Sequence, residues 1–208
     1  MKKLTKILLS VILVLVLALA GIVAIPYYAF GIDIFDRSGW SIDENEQIRY
    51  LDYYGDPLTG WQQLEENWYY FDPSDAAMVT GWLDLEEGRY FLNSDGTRHV
   101  GWLEHNDGTY YLNPDDALLA TGWLELEEGT YFMDSAGRRQ TGWLDLEENR
   151  YYLDEQGLLV TGWLEKDGNR YYLGEDGIMA TGWLETPEGK RYLDENGVLR
   201  SGWTETPE

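Results

Sequence analysis

The dipeptide Gly-Trp recurs along this chain at an almost constant spacing. Its tryptophans are Trp40, Trp61, Trp82, Trp102, Trp123, Trp143, Trp163, Trp183 and Trp203. Neighbouring copies lie 20 or 21 residues apart. A unit of that length cannot bury a hydrophobic core of its own, so it must stack on its neighbours. The spacing therefore predicts an array of repeats rather than a conventional globular domain.

Each repeat has the same internal order of residue types. Leucine follows the tryptophan in six copies, and an acidic residue follows that leucine in the same six. Turn-forming residues come next, and then an aromatic doublet such as Tyr151-Tyr152. The link to the next copy is predicted to be a turn, in which Gly157 or Gly197 takes a positive φ. Two short apolar runs around a turn are typical of a β-hairpin. We therefore expect an all-β solenoid of stacked β-hairpins over residues 39–208, with an incomplete last copy and one hydrophobic helix before it.

The pairing within each hairpin can be predicted from side chains that must face one another. One register places Leu144 opposite Tyr151, Trp143 opposite Tyr152, and Asp145 opposite Arg150. The same register brings together Asp84 with Arg89, Glu165 with Arg170 and Glu185 with Lys190. A glycine bulge at the turn would shift it by one residue. The unshifted register assigns Leu144, Tyr151 and Leu153 to the hairpin stack, and Trp143 and Tyr152 to a possible ligand face.

The first 30 residues have the composition of an export segment. Three lysines precede an uncharged run over residues 7–25, which Pro26 closes. Its length suits a membrane-spanning signal anchor, whereas Ala18-Leu-Ala20 suits signal-peptide cleavage. Residues 31–38 form a linker that either rests at the membrane interface or covers the first repeat. In both cases the positive-inside rule predicts that the repeats lie outside the cell membrane.

The charge and the rare residue types exclude several functions. A net charge of −23 makes nucleic acid an improbable partner. Cysteine is absent, so the chain has neither disulfides nor thiolate metal ligands. His99 and His105 are the only histidines, and we interpret both as surface residues. We predict no catalytic residue, no metal, no cofactor and no enzymatic activity.

These Gly-Trp and Tyr-Tyr units resemble the cell-wall-binding repeat family of choline-binding and glucan-binding surface proteins. The resemblance covers residues 39–203. It implies a β-solenoid that binds choline on teichoic acids or binds cell-wall polysaccharide. It also implies that the protein lies on the extracellular face of the cell envelope, either membrane-anchored or secreted and wall-associated.

The resemblance also implies an aromatic box for choline, in which a second tryptophan stands directly before the aromatic doublet. Only Trp68 occupies that position here, and the other copies carry Arg89, Thr109, Thr130, Arg150, Arg170 and Lys190. A guanidinium in the box would repel a trimethylammonium group. We therefore expect polysaccharide as the main ligand, and choline only near Trp61, Trp68, Tyr70 and Trp82, with Met78 close by.

The candidate ligand-binding residues are the repeated aromatics. They are Trp61, Trp68, Tyr70, Trp82, Phe91, Trp102, Tyr111, Trp123, Phe132, Trp143, Tyr152, Trp163, Tyr172, Trp183 and Tyr192. Two other functions remain open at this point: the array is the targeting arm of an enzyme whose catalytic domain is not in this chain, or it is a spacer without a ligand. Full burial of the Gly-Trp indoles would favour the spacer.

Overall fold

The computed structural model describes residues 36–200, except residues 107 and 188. The predicted N-terminal helix, most of the linker, and Trp203 lie outside these residues. Within the described part of the chain there is no helix long and apolar enough to cross a membrane. The described residues are all-β, which confirms the predicted fold class for the repeats.

The chain divides into two compact units between Val79 and Thr80. The first unit contains two antiparallel hairpins, β1 (Gly39–Ile42) with β2 (Ile48–Leu51) and β3 (Gly60–Leu64) with β4 (Asn67–Phe71). The second unit contains β5 (Gly81–Leu85) with β6 (Gly88–Leu92), β7 (Gly101–His105) with β8 (Gly108–Leu112), β9 (Gly122–Leu126) with β10 (Gly129–Met133), β11 (Gly142–Leu146) with β12 (Asn149–Leu153), β13 (Gly162–Lys166) with β14 (Asn169–Leu173), and β15 (Gly182–Thr186) with β16 (Gly189–Leu193) and β17 (Leu199–Arg200).

The predicted register is confirmed in the hairpins that suggested it. In the β11–β12 hairpin, Trp143 pairs with Tyr152, Leu144 with Tyr151, and Asp145 with Arg150. The acid–base pairs of the β5–β6, β13–β14 and β15–β16 hairpins follow the same rule. None of these hairpins is shifted by a bulge, because each turn places two residues between the last paired positions.

The connections between hairpins do more than turn the chain. In the connection after β10, the backbone N–H of Gln140 donates to Phe132 O of the same repeat at 2.8 Å. The N–H of the preceding residue, Arg139, donates to Thr109 O of the previous hairpin at 2.8 Å. Consecutive residues thus join two hairpins, and the pattern repeats for Leu119 with Arg89 and for Leu159 with Thr130. From the sequence, these segments were expected only to turn the chain.

The glycine that closes the turn within each eight-residue connection is required by conformation and by space. Gly157 has a φ of +82°, and a Cβ atom there would lie 2.7 Å from Cδ of Arg139 in the preceding connection. Only glycine takes this φ without strain, so the prediction for Gly157 and for Gly197, with a φ of +76°, is confirmed. The nine-residue connections place Ala76 and Ala117 there instead, at φ of 58° and 61°.

The acidic residues of the connections hold their own turns. Asp134 Oδ1 accepts backbone hydrogen bonds from Ala136 at 2.8 Å and Arg138 at 2.9 Å. Asp154 repeats the arrangement with Gln156 and Leu158. Such local bonds stabilise a tight turn, so part of the negative charge has a structural role.

The last residue of each returning strand forms the core of its unit. Fully buried side chains there are Phe71, Leu92, Leu112, Met133, Leu153, Leu173 and Leu193. Because side chains alternate along a strand, this residue points to the same face as the first aromatic of the doublet. Leu153 therefore lies in the stack, as predicted.

Candidate aromatic ligand sites

Every described Gly-Trp tryptophan contacts the second aromatic residue of its own hairpin. The ring centroids of Trp123 and Phe132 are 5.0 Å apart, and those of Trp143 and Tyr152 are 5.1 Å apart, in edge-on geometry. The same contact joins Trp61 with Tyr70, Trp82 with Phe91, Trp102 with Tyr111, Trp163 with Tyr172 and Trp183 with Tyr192. The hairpin register alone produces these pairs, so the structure brings the predicted candidates together two by two, apart from Trp68, which stands opposite Gln63.

A second wall comes from the next hairpin and was missed in the sequence analysis. Trp123 lies 5.0 Å from the ring of Tyr151, the first residue of the following doublet. Equivalent contacts join Trp82 with Tyr110, Trp102 with Tyr131, Trp143 with Tyr171 and, in the first unit, Trp40 with Tyr69. The first residue of each doublet thus packs in the stack and also flanks the preceding indole.

A signal for this second wall was present in the chain. In the doublets of β4, β6, β8, β10, β12 and β14 the first residue is always tyrosine, while the second is tyrosine or phenylalanine. The β16 strand departs from this rule, because Arg191 takes the place of the first tyrosine. Trp163, the indole of the preceding hairpin, has an aromatic partner only in its own hairpin among the described residues.

We call each tryptophan with its two flanking rings a cluster, named after the tryptophan. The indoles at the centre of these clusters are not buried. Trp123 keeps 40% of its surface exposed and Trp40 keeps 50%, while Trp82, Trp102, Trp143 and Trp163 are partly buried. Each cluster therefore has structural contacts and an aromatic surface that a ligand can reach.

The residue directly before the doublet, which we call the pre-doublet position, lies on the tryptophan face of the hairpin. Cζ of Arg89, Arg150 and Arg170 lies 4.5, 4.8 and 4.4 Å from the ring centroids of Trp82, Trp143 and Trp163. These distances are typical of a cation–π contact. The arginine therefore covers the indole of its own hairpin.

The same arginines pair with the acid across the hairpin. Nε of Arg150 lies 3.1 Å from Oδ1 of Asp145, and Nε of Arg89 lies 3.2 Å from Oδ1 of Asp84. Both Nε atoms are buried without an aligned hydrogen bond from the described residues. The ring contact, together with the charge pair, thus holds each guanidinium in place.

Threonine at the pre-doublet position leaves the indole uncovered by its own hairpin. Thr109 donates to Glu104 at 2.8 Å, although Arg139 of the connection after β10 places Cζ 5.5 Å from the Trp102 ring. Thr130 stands opposite Glu125 in the hairpin of Trp123. Within residues 36–200 as described, no arginine or lysine lies over Trp123.

The two histidines lie beside these clusters. The ring of His105 is 5.0 Å from Phe91 and 6.1 Å from Trp82, and His99 bridges Asn93 Oδ1 and Trp102 O at 3.0 Å each. Both are partly buried, so neither is the simple surface residue that was expected.

Burial raises the pKa of the Tyr90 hydroxyl, which keeps that phenol neutral.

Two family models match segments of the chain. One describes a choline-binding repeat and matches residues 160–203, and the other describes a cell wall binding repeat and matches residues 59–74 and 100–115. These segments of the chain are therefore similar to choline-binding and cell wall binding repeats. This confirms the resemblance inferred from the Gly-Trp and Tyr-Tyr units.

Solved structures of choline-binding proteins share the fold. CbpJ from Streptococcus pneumoniae is 26% identical, with a TM-score of 0.73 over 79% of this chain and 66% of its own. Choline binding protein F from the same organism is 28% identical, with a TM-score of 0.69 over 78% of this chain and 58% of its own. It was also solved in the presence of a peptidoglycan analogue, and that structure is 29% identical.

The present chain thus spans about two thirds or less of the length of these structures. No curated protein matches the sequence.

Proposed function

We propose that this choline-binding repeat protein attaches to a cell-wall polymer by holding choline groups in its open aromatic clusters. The observation that carries the proposal is the Trp123 cluster, where Phe132 and Tyr151 flank an indole that no cation of the described residues covers. A quaternary ammonium is attracted to the faces of such rings. This shifts the emphasis from the polysaccharide expected from the sequence to choline.

The Trp40 cluster of the first unit supports the same function. Trp40 lies 5.2 Å from Tyr50 and 5.0 Å from Tyr69. Ile48 holds the position that corresponds to the pre-doublet arginine, opposite Ile42. Each open cluster binds weakly by itself, and several on one polymer supply useful affinity through avidity.

Polysaccharide is the second candidate ligand, and the arginine-covered clusters favour it. Arg150 and Asp145 present a half-exposed guanidinium and an exposed carboxylate beside the rings of Trp143 and Tyr152. Sugar hydroxyl groups need both donors and acceptors of this kind, and a neutral ring is not repelled by the guanidinium. The same protein would then hold the choline and the glycan of one wall polymer.

The accessible indoles support a binding role over a spacer without a ligand. We assign no catalytic step to the repeats, and we place the protein on the outer face of the cell envelope. Residues 7–25 would anchor it, or residues 1–20 would be removed by cleavage after Ala20. Mass spectrometry of the mature N-terminus distinguishes these two states, and activity assays on purified walls test for a role as an enzyme's targeting arm.

Equilibrium dialysis of the full chain against choline tests the proposed function. Trp123→Ala should remove one choline site per chain, whereas Trp143→Ala, the matched change in an arginine-covered cluster, should remove none. Excess choline should also release the protein from sedimented cell walls. If the protein binds no choline and still sediments with cell walls when choline is in excess, its ligand is polysaccharide alone.

A further inference from the structure

The pre-doublet position differs between otherwise similar clusters of one unit. It holds arginine beside Trp82, Trp143 and Trp163, and threonine beside Trp102 and Trp123. The flanking rings are nevertheless at nearly the same distances in the Trp123 and Trp143 clusters, 4.9 to 5.1 Å. The rings are thus placed alike, although Phe132 stands where the Trp143 cluster has Tyr152, and the pre-doublet side chain makes the difference in charge.

We propose that the pre-doublet arginines are built-in occupants of the cation sites, and that this position determines which clusters accept a quaternary ammonium ligand. The inference rests on the proposed function and deepens it. Arg89, Arg150 and Arg170 close their clusters, whereas Thr130 leaves the Trp123 cluster available.

The position of the guanidinium is the first argument. Cζ of Arg150 lies 4.8 Å from the Trp143 centroid, within the roughly 6 Å at which a cation and an aromatic face attract each other. A ligand cation would need this same face of the indole. It would have to displace the guanidinium or bear the repulsion of a like charge beside it.

Charge balance is the second argument. Beside Trp143, the positive charge of Arg150 offsets the negative charge of Asp145, so the pair is neutral. Beside Trp123, Thr130 faces Glu125, so the corresponding pair carries one net negative charge. The open cluster therefore attracts a cation, whereas in the covered cluster Arg150 already neutralises the carboxylate of Asp145.

The backbone fixes the pre-doublet residue in both kinds of cluster. The carbonyl of Thr130 accepts from Leu159 N at 2.8 Å, and that of Arg150 accepts from Met179 N at 2.7 Å. The next repeat thus holds each residue at the same place in the hairpin. Exchanging the two side chains should leave the scaffold unchanged, because both point to the exposed tryptophan face.

The Trp102 cluster has an intermediate arrangement. Thr109 leaves its indole open, but Arg139 approaches from the next connection to 5.5 Å. The Arg139 guanidinium, which belongs to the connection after β10, is farther from the Trp102 ring than the pre-doublet guanidinium is from the indole in the three covered clusters, where the distance is 4.4 to 4.8 Å. The inference therefore predicts weaker choline binding at Trp102 than at Trp123, and tighter binding there in Arg139→Ala.

The decisive experiment exchanges the pre-doublet residues in the full chain and counts choline sites by equilibrium dialysis. Thr130→Arg should lose the Trp123 site, with at least about a tenfold loss of affinity there. Arg150→Thr should gain one site at Trp143, and Arg150→Ala serves as a second opening variant. Arg200→Thr is the control, because it removes the same charge from a side chain that pairs with Asp194 and lies over no indole of the described residues.

The outcomes separate this inference from the proposed function. If the wild-type protein binds choline at Trp123 and neither Arg150 variant gains a site, the inference is wrong and the proposed function stands. If the wild-type protein binds no choline but the Arg150 variants do, the arginine does block its own cluster, but the open Trp123 site and the proposed function are wrong, and the pre-doublet residue alone does not determine acceptance. A site lost on Trp143→Ala in the Arg150→Thr background would confirm where the new ligand binds.

Discussion

The β9–β10 and β11–β12 hairpins are neighbours in the chain and nearly identical in structure, but they present different surfaces. Both have five-residue strands in the same register, and both place an indole between the second aromatic residue of its hairpin and a tyrosine of the next. Thr130 leaves one indole open, and Arg150 covers the other. Fold and ligand access are thus determined by different positions of the same 20-residue repeat.

Truncation of the buried strand-end residue should have the largest effect, and the effect should be alike in both hairpins. Met133 and Leu153 are fully buried at equivalent positions. Changing either to alanine leaves a cavity and should lower the free energy of unfolding by about 2–5 kcal/mol. Urea denaturation followed by circular dichroism measures this. A large effect in one hairpin only would mean that the two scaffolds are not equivalent.

Removal of the wall from the next hairpin should separate the two clusters. Tyr151→Ala and Tyr171→Ala each remove an edge-on contact with an indole and should cost about 1–3 kcal/mol of stability. Only Tyr151→Ala should also weaken choline binding, by about tenfold, because the Trp143 cluster is covered by Arg150. Dialysis with choline, beside urea denaturation, reports both quantities. Equal choline affinity in the two variants would contradict the distinction.

The smallest effect should come from the acids opposite the pre-doublet position. Glu125→Gln removes the uncompensated charge beside Trp123 and should reduce choline affinity a few-fold, about 1 kcal/mol or less. Asp145→Asn breaks an exposed pair with Arg150 and should change stability by about 1 kcal/mol or less, with no new choline site. Dialysis at low and high salt should show the Glu125 effect shrink as salt screens it.

Much of the scaffold could be predicted because each hairpin is a local structure. The spacing of Trp143, the turn and the doublet defines both strands, and the pair Asp145 with Arg150 fixes the register. The glycine at position 157 indicated the turn in the connection. These features depend on residues within one repeat, so they can be read from a single copy.

Contacts between repeats were harder to predict. Tyr151 was assigned to the stack, and its contact with Trp123 of the preceding hairpin was missed. The connection segments were read as turns, although Arg139 and Gln140 join two hairpins through successive N–H groups. Both features depend on how far one hairpin is displaced and rotated relative to the next, which the sequence of one repeat does not specify.

The sequence by itself determined the repeat, the hairpins, their register and the resemblance to choline-binding repeats, because these follow from periodic spacing and from pairs within one hairpin. It also placed Arg150 beside the candidate ligand face, as a residue that would repel choline there. Only the tertiary structure decided that this guanidinium lies over its own indole, and that the second wall of each cluster comes from the following repeat. The physical reason is that side-chain direction and the offset between stacked hairpins, rather than residue type alone, determine whether an aromatic face is covered.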